Sequence, residues 1–297
     1  PCRHRYVASP QIRNPKSEIR NKPQWANPKP KTGGHRRVWS LALLGIGICF
    51  GFRASDFGFA PTKQGAPARP FHSMNLGLLI HEWLVLALGL GLLLVDLWVP
   101  AKAKPKLGYV AALGVGAILL YSLVAVKIDP DKLYAFGGMY ALDPLALFFK
   151  RFFLLAALIV LVMSVEYADR IAAGIGEYYV LILFSLLGML FASSANHFAL
   201  LFVSLELITI SFYVLTSFQR AQVLSLEAGV KYLIIGALST SFTVFGIALV
   251  YGMSGKLNFG ELAAVSGSLV SNKLFLFGLV LVLVGLGFKI AAFPFQI

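Results

Sequence analysis

From about position 76 onward the chain falls into apolar runs of roughly twenty residues separated by short polar breaks. These runs are Leu76 to Val99, Leu107 to Val126, Leu142 to Val165, Tyr178 to Ala195, Phe198 to Ser217, Val230 to Tyr251, and Leu274 onward. A helix rises about 1.5 Å per residue, so a run of about 20 residues matches a hydrocarbon core of about 30 Å. A helix also satisfies its own backbone hydrogen bonds, which lipid cannot do. The pattern therefore predicts an all-α polytopic membrane protein with about seven transmembrane helices in the covered part. Asp96 lies near enough to the end of the first run to reach the interface, while the third run is the least clean, with Asp143, Lys150 and Arg151 in its first half.

Composition agrees with this. The 297 residues are 58% hydrophobic and only 13% charged, with a mean hydropathy of +0.77. A soluble domain carries about a quarter of its residues as charges.

The formal charge of +13 changes meaning once it is divided along the chain. Residues 1 to 73 hold 13 Lys and Arg against Glu18 and Asp56, whereas residues 74 to 297 hold 13 against 11 acids. The basicity belongs to a leader rich in Pro, Arg, Lys and Asn, which lacks apolar periodicity and is expected to be disordered. Its charge is a weak signal for nucleic acid, and no nucleic-acid partner is expected. Val38 to Phe52, preceded by His35, Arg36 and Arg37, has the proportions of a signal-peptide apolar region. A secretory signal, an organelle transit segment, and upstream sequence outside the functional protein all fit. The last is favoured, because Met74 opens a fresh apolar segment. Ile297 falls inside a continuing apolar helix, so 74–297 is read as the N-terminal portion of a longer membrane domain.

Cys2 and Cys49 both precede Met74, so the body has no thiol for a disulfide or an iron–sulfur cluster. His81 and His197 are its two histidines and lie on different segments; Glu82 adjoins His81, but successive helix residues face different ways. No metal site is expected, and His197 reads as an interface residue. Phosphate-cradling glycine loops and nucleophile elbows are missing from the sequence. What is left is proton or ion movement.

Loop charges orient the body weakly. Lys102, Lys104, Lys106, Arg170 and Arg220 lie on one side, and Lys127, Lys132, Lys256 and Lys273 on the other. The positive-inside rule favours an external start of the body by a single residue.

Charges inside apolar runs carry the chemistry. A charge at the centre of a membrane helix costs about 2.5 to 3.5 kcal/mol on insertion scales, and the usual reason for one is an ion or proton path. Glu206 stands mid-run, with Ser204, Thr209 and Ser211 as nearby hydrogen-bonding groups. Lys231 opens a stretch of small residues suited to close helix packing, from Gly229 through Gly236, Ser239 and Thr240 to Gly246. Glu227, four residues earlier, could hold its ammonium or lie in a solvated loop. Snorkelling to the interface is the competing account of Lys231. Lys289 stands between Gly285 and Gly287 on one side and Pro294 on the other. Pro294 withholds a donor from the Ile290 carbonyl and predicts a break in the helix, tolerated only against protein or water.

SLELITISFYVL, SLEAGVKYLIIGALSTSF, ALVYGMSGKLNF and GLGFKIAAFPFQI, in that order, resemble the N-type antiporter-like membrane subunit of proton-pumping NADH-quinone oxidoreductase, respiratory complex I. The resemblance spans most of 74–297 and is strongest from Gly176 to Phe295. Leu205 stands where the related L and M types usually carry an aromatic residue, which favours the N type. The resemblance implies a fold of about fourteen helices with two inverted five-helix repeats, of which this chain holds the N-terminal half, its last helix broken at Pro294. It implies proton transfer through Glu206, Lys231 and Lys289, supported by Glu227, Pro294 and Gln296. Gln296 stands where the family often has His; Gln cannot titrate, so the proton step beside Lys289 would run through water.

The expected activity is that of a membrane-arm subunit driven by electron transfer from NADH to quinone in partner subunits of the L, M, K and J types. NADH and quinone would be used by the whole complex and no cofactor bound by this chain. The expected location is the bacterial inner (plasma) membrane, as a multi-pass protein in the lipid bilayer. A subunit of a multisubunit cation/proton antiporter is the alternative, and a passive helix scaffold a third reading.

Overall fold

The computed structural model describes residues 76–126, 134–167 and 174–292, and these form an antiparallel helical bundle. The leader 1–73, Pro294 and Gln296 lie outside the described residues. A short 3-10 turn, Leu76–Leu79, leads into α1 (Ile80–Trp98); a second, Ala101–Lys106, joins it to α2 (Leu107–Val124). A two-residue β-hairpin follows, β1 (Tyr134–Ala135) and β2 (Tyr140–Ala141), then α3 (Pro144–Tyr167), α4 (Ile175–Ser193) and α5 (Phe198–Thr216). The chain continues through α6 (Val223–Ser254), α7 (Phe259–Leu269) and α8 (Lys273–Lys289). Six of these helices, α1 with its leading turn through α6, are long and apolar enough to cross a membrane. The seventh predicted run becomes α8, 17 residues long.

Boundaries differ from expectation where the polar residues are still helical. α6 starts at Val223, seven residues before the predicted Val230, so Glu227 lies within the helix and not in a loop. α4 starts at Ile175, after Gly174 in the left-handed conformation (φ 77°). The 11-residue α7 was not predicted, because it is too short to register as a span; Asn258 caps it by accepting from the Gly260 and Glu261 amides.

One end of the bundle is organised by the hairpin. Ala141 N–H donates to the Ser194 carbonyl and Asn196 N–H to that of Met139, while Asn196 and Asn258 both donate side-chain bonds to the Gly138 carbonyl. The Phe198 amide bonds to Leu257 and that of Phe259 to Asn196. These bonds tie the α4–α5 and α6–α7 connections to the hairpin and satisfy backbone groups that lipid would leave unpaired. At the opposite end Lys104 pairs with Asp96 at 2.9 Å, which is how that acid meets the interface, and Gln219 donates to the Tyr167 hydroxyl.

Among the described residues packing divides into two larger apolar cores and a small one of Leu79, Ala135, Tyr140 and Leu142 at the hairpin. Val85, Val115, Leu154, Leu161, Leu183 and Leu190 represent the larger one, which joins α1 through α4. Phe198, Val250, Leu262, Phe275 and Val282 join α5, α6, α7 and α8.

The closest crossing is antiparallel, α6 on α8, and it depends on small residues. A Cβ added at Gly246 would stand 2.6 Å from the Gly278 carbonyl oxygen and 2.7 Å from the Val282 nitrogen. Backbone cannot move aside cheaply, so Gly246→Val is expected to cost about 1–3 kcal/mol. The check is the thermal midpoint of the protein in lipid, which should fall; an unchanged midpoint would mean that the two helices are not held at this spacing.

Candidate functional site

Glu206 occupies the middle of α5 and projects toward the α6–α8 crossing. Its Oε1 accepts two bonds, one from the Thr240 hydroxyl of α6 at 2.8 Å and one from the Lys289 ammonium of α8 at 2.9 Å. The Lys289 and Glu206 side chains are 10% and 23% exposed, so the pair is largely withdrawn from the surroundings. Two helices thus contribute one group each to a single carboxylate oxygen carried by a third.

The helix ends carry the reason. α8 stops at Lys289 itself: the Ala291 amide bonds back to Phe288 and that of Ala292 to Gly287, with Ala291 in the left-handed conformation (φ 49°). This is the bond pattern of a Schellman end, unusual in being built on alanine rather than glycine. The helix therefore ends five residues before Pro294, beside the Lys289 amine. On α6, Ser239 donates to the Gly285 carbonyl at 2.7 Å and fixes the level at which α8 meets Thr240.

Lys231 lies elsewhere. It pairs with Glu227, one turn before it, at 2.6 Å, and both side chains are more than half exposed. Glu227 thus holds the Lys231 ammonium, one of the two readings open for it, and does so at an exposed position. Between Lys231 and the Glu206 pair stand aromatic groups that the sequence reading passed over. Tyr213, two turns after Glu206 on α5, packs edge-on against Tyr232 at 5.0 Å between ring centroids and lies over Gly236. The i, i+7 spacing of Glu206 and Tyr213 was the available signal.

A second charge cluster was also missed. Glu82 on α1 and Lys150 on α3, 2% and 0% exposed, form an ion pair at 2.6 Å. The Tyr140 hydroxyl of the hairpin lies 3.1 Å from both Glu82 Oε1 and the Leu78 carbonyl, with one proton to share between them, and accepts from Lys150. Burial, with the Glu82 carboxylate beside it, holds the Tyr140 phenol above its ordinary range, so Tyr140 stays protonated. On the neighbouring face His81 Nε2 meets the Ser122 hydroxyl of α2 at 2.9 Å, and Arg151 reaches the Ser122 carbonyl at 2.7 Å. Both charges stood in view within apolar runs, but their pairing across 68 positions has no local signature.

His197 caps α5: its Nδ1 accepts from the Ala199 amide at 3.1 Å. Burial keeps this imidazole below its ordinary pKa against an opposing pull from Glu261, which suits a neutral acceptor. This agrees with the reading of His197 as an interface residue. Among the described residues no group of three or more His, Cys, Asp and Glu side chains is placed to hold a metal.

Comparison with known proteins gives consistent results. Residues 195–297 match the family model described as NADH:quinone oxidoreductase/Mrp antiporter, TM. The chain is 38% identical over 231 residues to NADH-quinone oxidoreductase subunit N of Trichlorobacter lovleyi, covering 77% of this chain and 47% of that protein. It is 37% identical over 227 residues to the protein of the same name from Dehalococcoides mccartyi, covering 74% of this chain and 46% of that protein. Among solved structures, a chain of respiratory complex I from Thermus thermophilus with bound Aureothin aligns with a TM-score of 0.57 at 31% identity, over 73% of this chain and 45% of that one. A chain of an archaeal membrane-bound sulfane sulfur reductase shares the fold, with a TM-score of 0.59 at 23% identity over 74% of this chain and 46% of that one. The chain spans about half the length of the curated relatives it matches. Over the part that it spans, this multi-pass membrane protein belongs to the antiporter-like family of NADH-quinone oxidoreductase membrane subunits, as a member of the subunit N type.

Proposed function

We propose that the chain works as a membrane-arm subunit of a proton-translocating NADH-quinone oxidoreductase in the bacterial inner membrane, alongside L-, M-, K- and J-type subunits. Glu206, Lys289 and Lys231 pass protons, with Glu227, Pro294 and Gln296 in support. The observation that carries this reading is the Glu206–Lys289 pair, 2.9 Å apart where α8 ends.

Such a pair can hold a proton reversibly. Desolvation favours the neutral amine, while a carboxylate beside it favours the ammonium. If Glu206 turns from Lys289 toward Tyr213 and Lys231, Lys289 is left without its counter-charge and releases a proton; on return it takes one up. Thr240 keeps Glu206 bonded on the α6 side of this movement. The chain supplies no redox centre in this scheme. NADH and quinone react in partner subunits, whose conformational change moves Glu206.

The same groups would serve a cation/proton antiporter, to which the family model's description also extends. The relatives named subunit N favour the first reading. Inverted membrane vesicles containing the tagged, assembled protein separate the two. NADH oxidation should acidify the vesicle interior, with quinone-reducing subunits copurifying. Proton movement driven by a sodium gradient without NADH would assign the antiporter instead.

A further inference from the structure

The cluster around Glu82 and Lys150 plays no part in the scheme above, and it is the more deeply buried of the two. Glu82 is the third residue of α1 and Lys150 the seventh of α3, so both lie toward the hairpin end of the bundle, whereas Glu206 lies at the middle of α5. Tyr140 of the hairpin bonds directly to the pair, while His81 of α1, Ser122 of α2 and Arg151 of α3 bond among themselves on the neighbouring face.

A purely structural ion pair should satisfy both carboxylate oxygens, because an unpaired buried acceptor costs about 1–3 kcal/mol. Here the bonds are crowded onto one atom. Glu82 Oε1 takes the Lys150 ammonium and the Tyr140 hydroxyl, while Glu82 Oε2 is buried with no hydrogen-bond partner among the described residues. His81 Nδ1, on the adjacent residue, is likewise buried and unpartnered. The open acceptor is therefore Glu82 Oε2 itself, on a carboxylate whose other oxygen is fully engaged. Charge closes the argument. With Glu82 ionised and Lys150 protonated the pair is neutral, and Arg151, bonded to the Ser122 carbonyl, is the adjacent fixed positive charge. One further proton can be added at Glu82 Oε2 without breaking either bond to Oε1.

Resting on the reading of the chain as a proton-translocating subunit, we propose that Glu82 and Lys150 form a second proton-holding site, at the hairpin end of the membrane domain and separate from Glu206 and Lys289. In the loaded form Glu82 Oε2 carries a proton and the carboxyl is neutral beside the Lys150 ammonium. Release of that proton restores the ion pair with the Lys150 ammonium. Tyr140 remains protonated and holds Oε1 in place in both forms.

The test uses the assembled complex in sealed vesicles, read as protons translocated per electron pair. Single changes leave a lone buried charge, so the decisive variant is the pair Glu82→Gln with Lys150→Met, which removes both charges at similar volume. The expected result is a complex that assembles and oxidises NADH with a loss in protons per electron pair. Wild-type stoichiometry in that variant overturns the proposal and leaves the cluster as a structural tie between α1, α3 and the hairpin. Should the double variant fail to assemble, Glu82→Asp decides: lowered stoichiometry at unchanged NADH oxidation supports the site, and unchanged stoichiometry overturns it. Glu206→Gln is measured in parallel. Full pumping there would sink the proposed function itself, whereas loss there with wild-type stoichiometry in the Glu82 variants rejects this inference alone.

Discussion

Glu206→Gln is expected to abolish most proton translocation in an enzyme that still assembles. The amide keeps the volume of the carboxyl and can still accept from Thr240 and Lys289 through its oxygen, so the α5–α6–α8 junction keeps its bonds. What it cannot do is carry a negative charge. Lys289 then loses the group that retains its proton, and no movement of residue 206 can switch the amine between holding and releasing it. Protons per electron pair, measured in vesicles normalised to assembled enzyme, should fall far more than NADH oxidation does. Pumping at the wild-type ratio would reduce Glu206 to a helix-bridging residue.

The second large effect is at Lys289, where Arg and Met variants together distinguish a cycling amine from a fixed charge. Lys289→Arg keeps the positive charge and can pair with Glu206, but a guanidinium does not deprotonate in proteins. Lys289→Met keeps similar length and removes the charge. Its effect on stability should be modest, about 1–3 kcal/mol at most for an acceptor losing its partner, since Glu206 can protonate and still bond Thr240. Both variants should assemble and both should lose proton translocation. A near-normal ratio in Lys289→Arg would show that the site needs only a positive charge and would sink the relay assignment.

How far the sequence reached is clearest residue by residue. Hydrophobic run length alone located the long helices, though not the short α7, because lipid leaves backbone groups no partner outside a helix, and a span has a fixed minimum length. It also singled out Glu206 and Lys289, since a charge in the middle of an apolar run is costly enough to be conspicuous. The break near Lys289 followed from Pro294, although the helix ends earlier, on a left-handed Ala291 that no local rule would select. Local spacing offered Glu227, one turn away, as a partner for Lys231 beside the alternative of a loop acid, and the helix brings the two together.

Only the tertiary structure decided which charges meet across helices. Glu206 and Lys289 are 83 positions apart, and Glu82 and Lys150 are 68 apart. Such partners depend on the rotation and level of each helix against its neighbours. Those are set by small contacts such as Gly246 on Gly278 and by the hairpin that ties the α4–α5 and α6–α7 connections, and the hydrophobic pattern encodes neither. For the same reason Lys231 could be found on sequence but not placed. A helix that is apolar nearly all round does not declare which of its faces turns inward, and in this chain the face carrying Lys231 and Glu227 turns out.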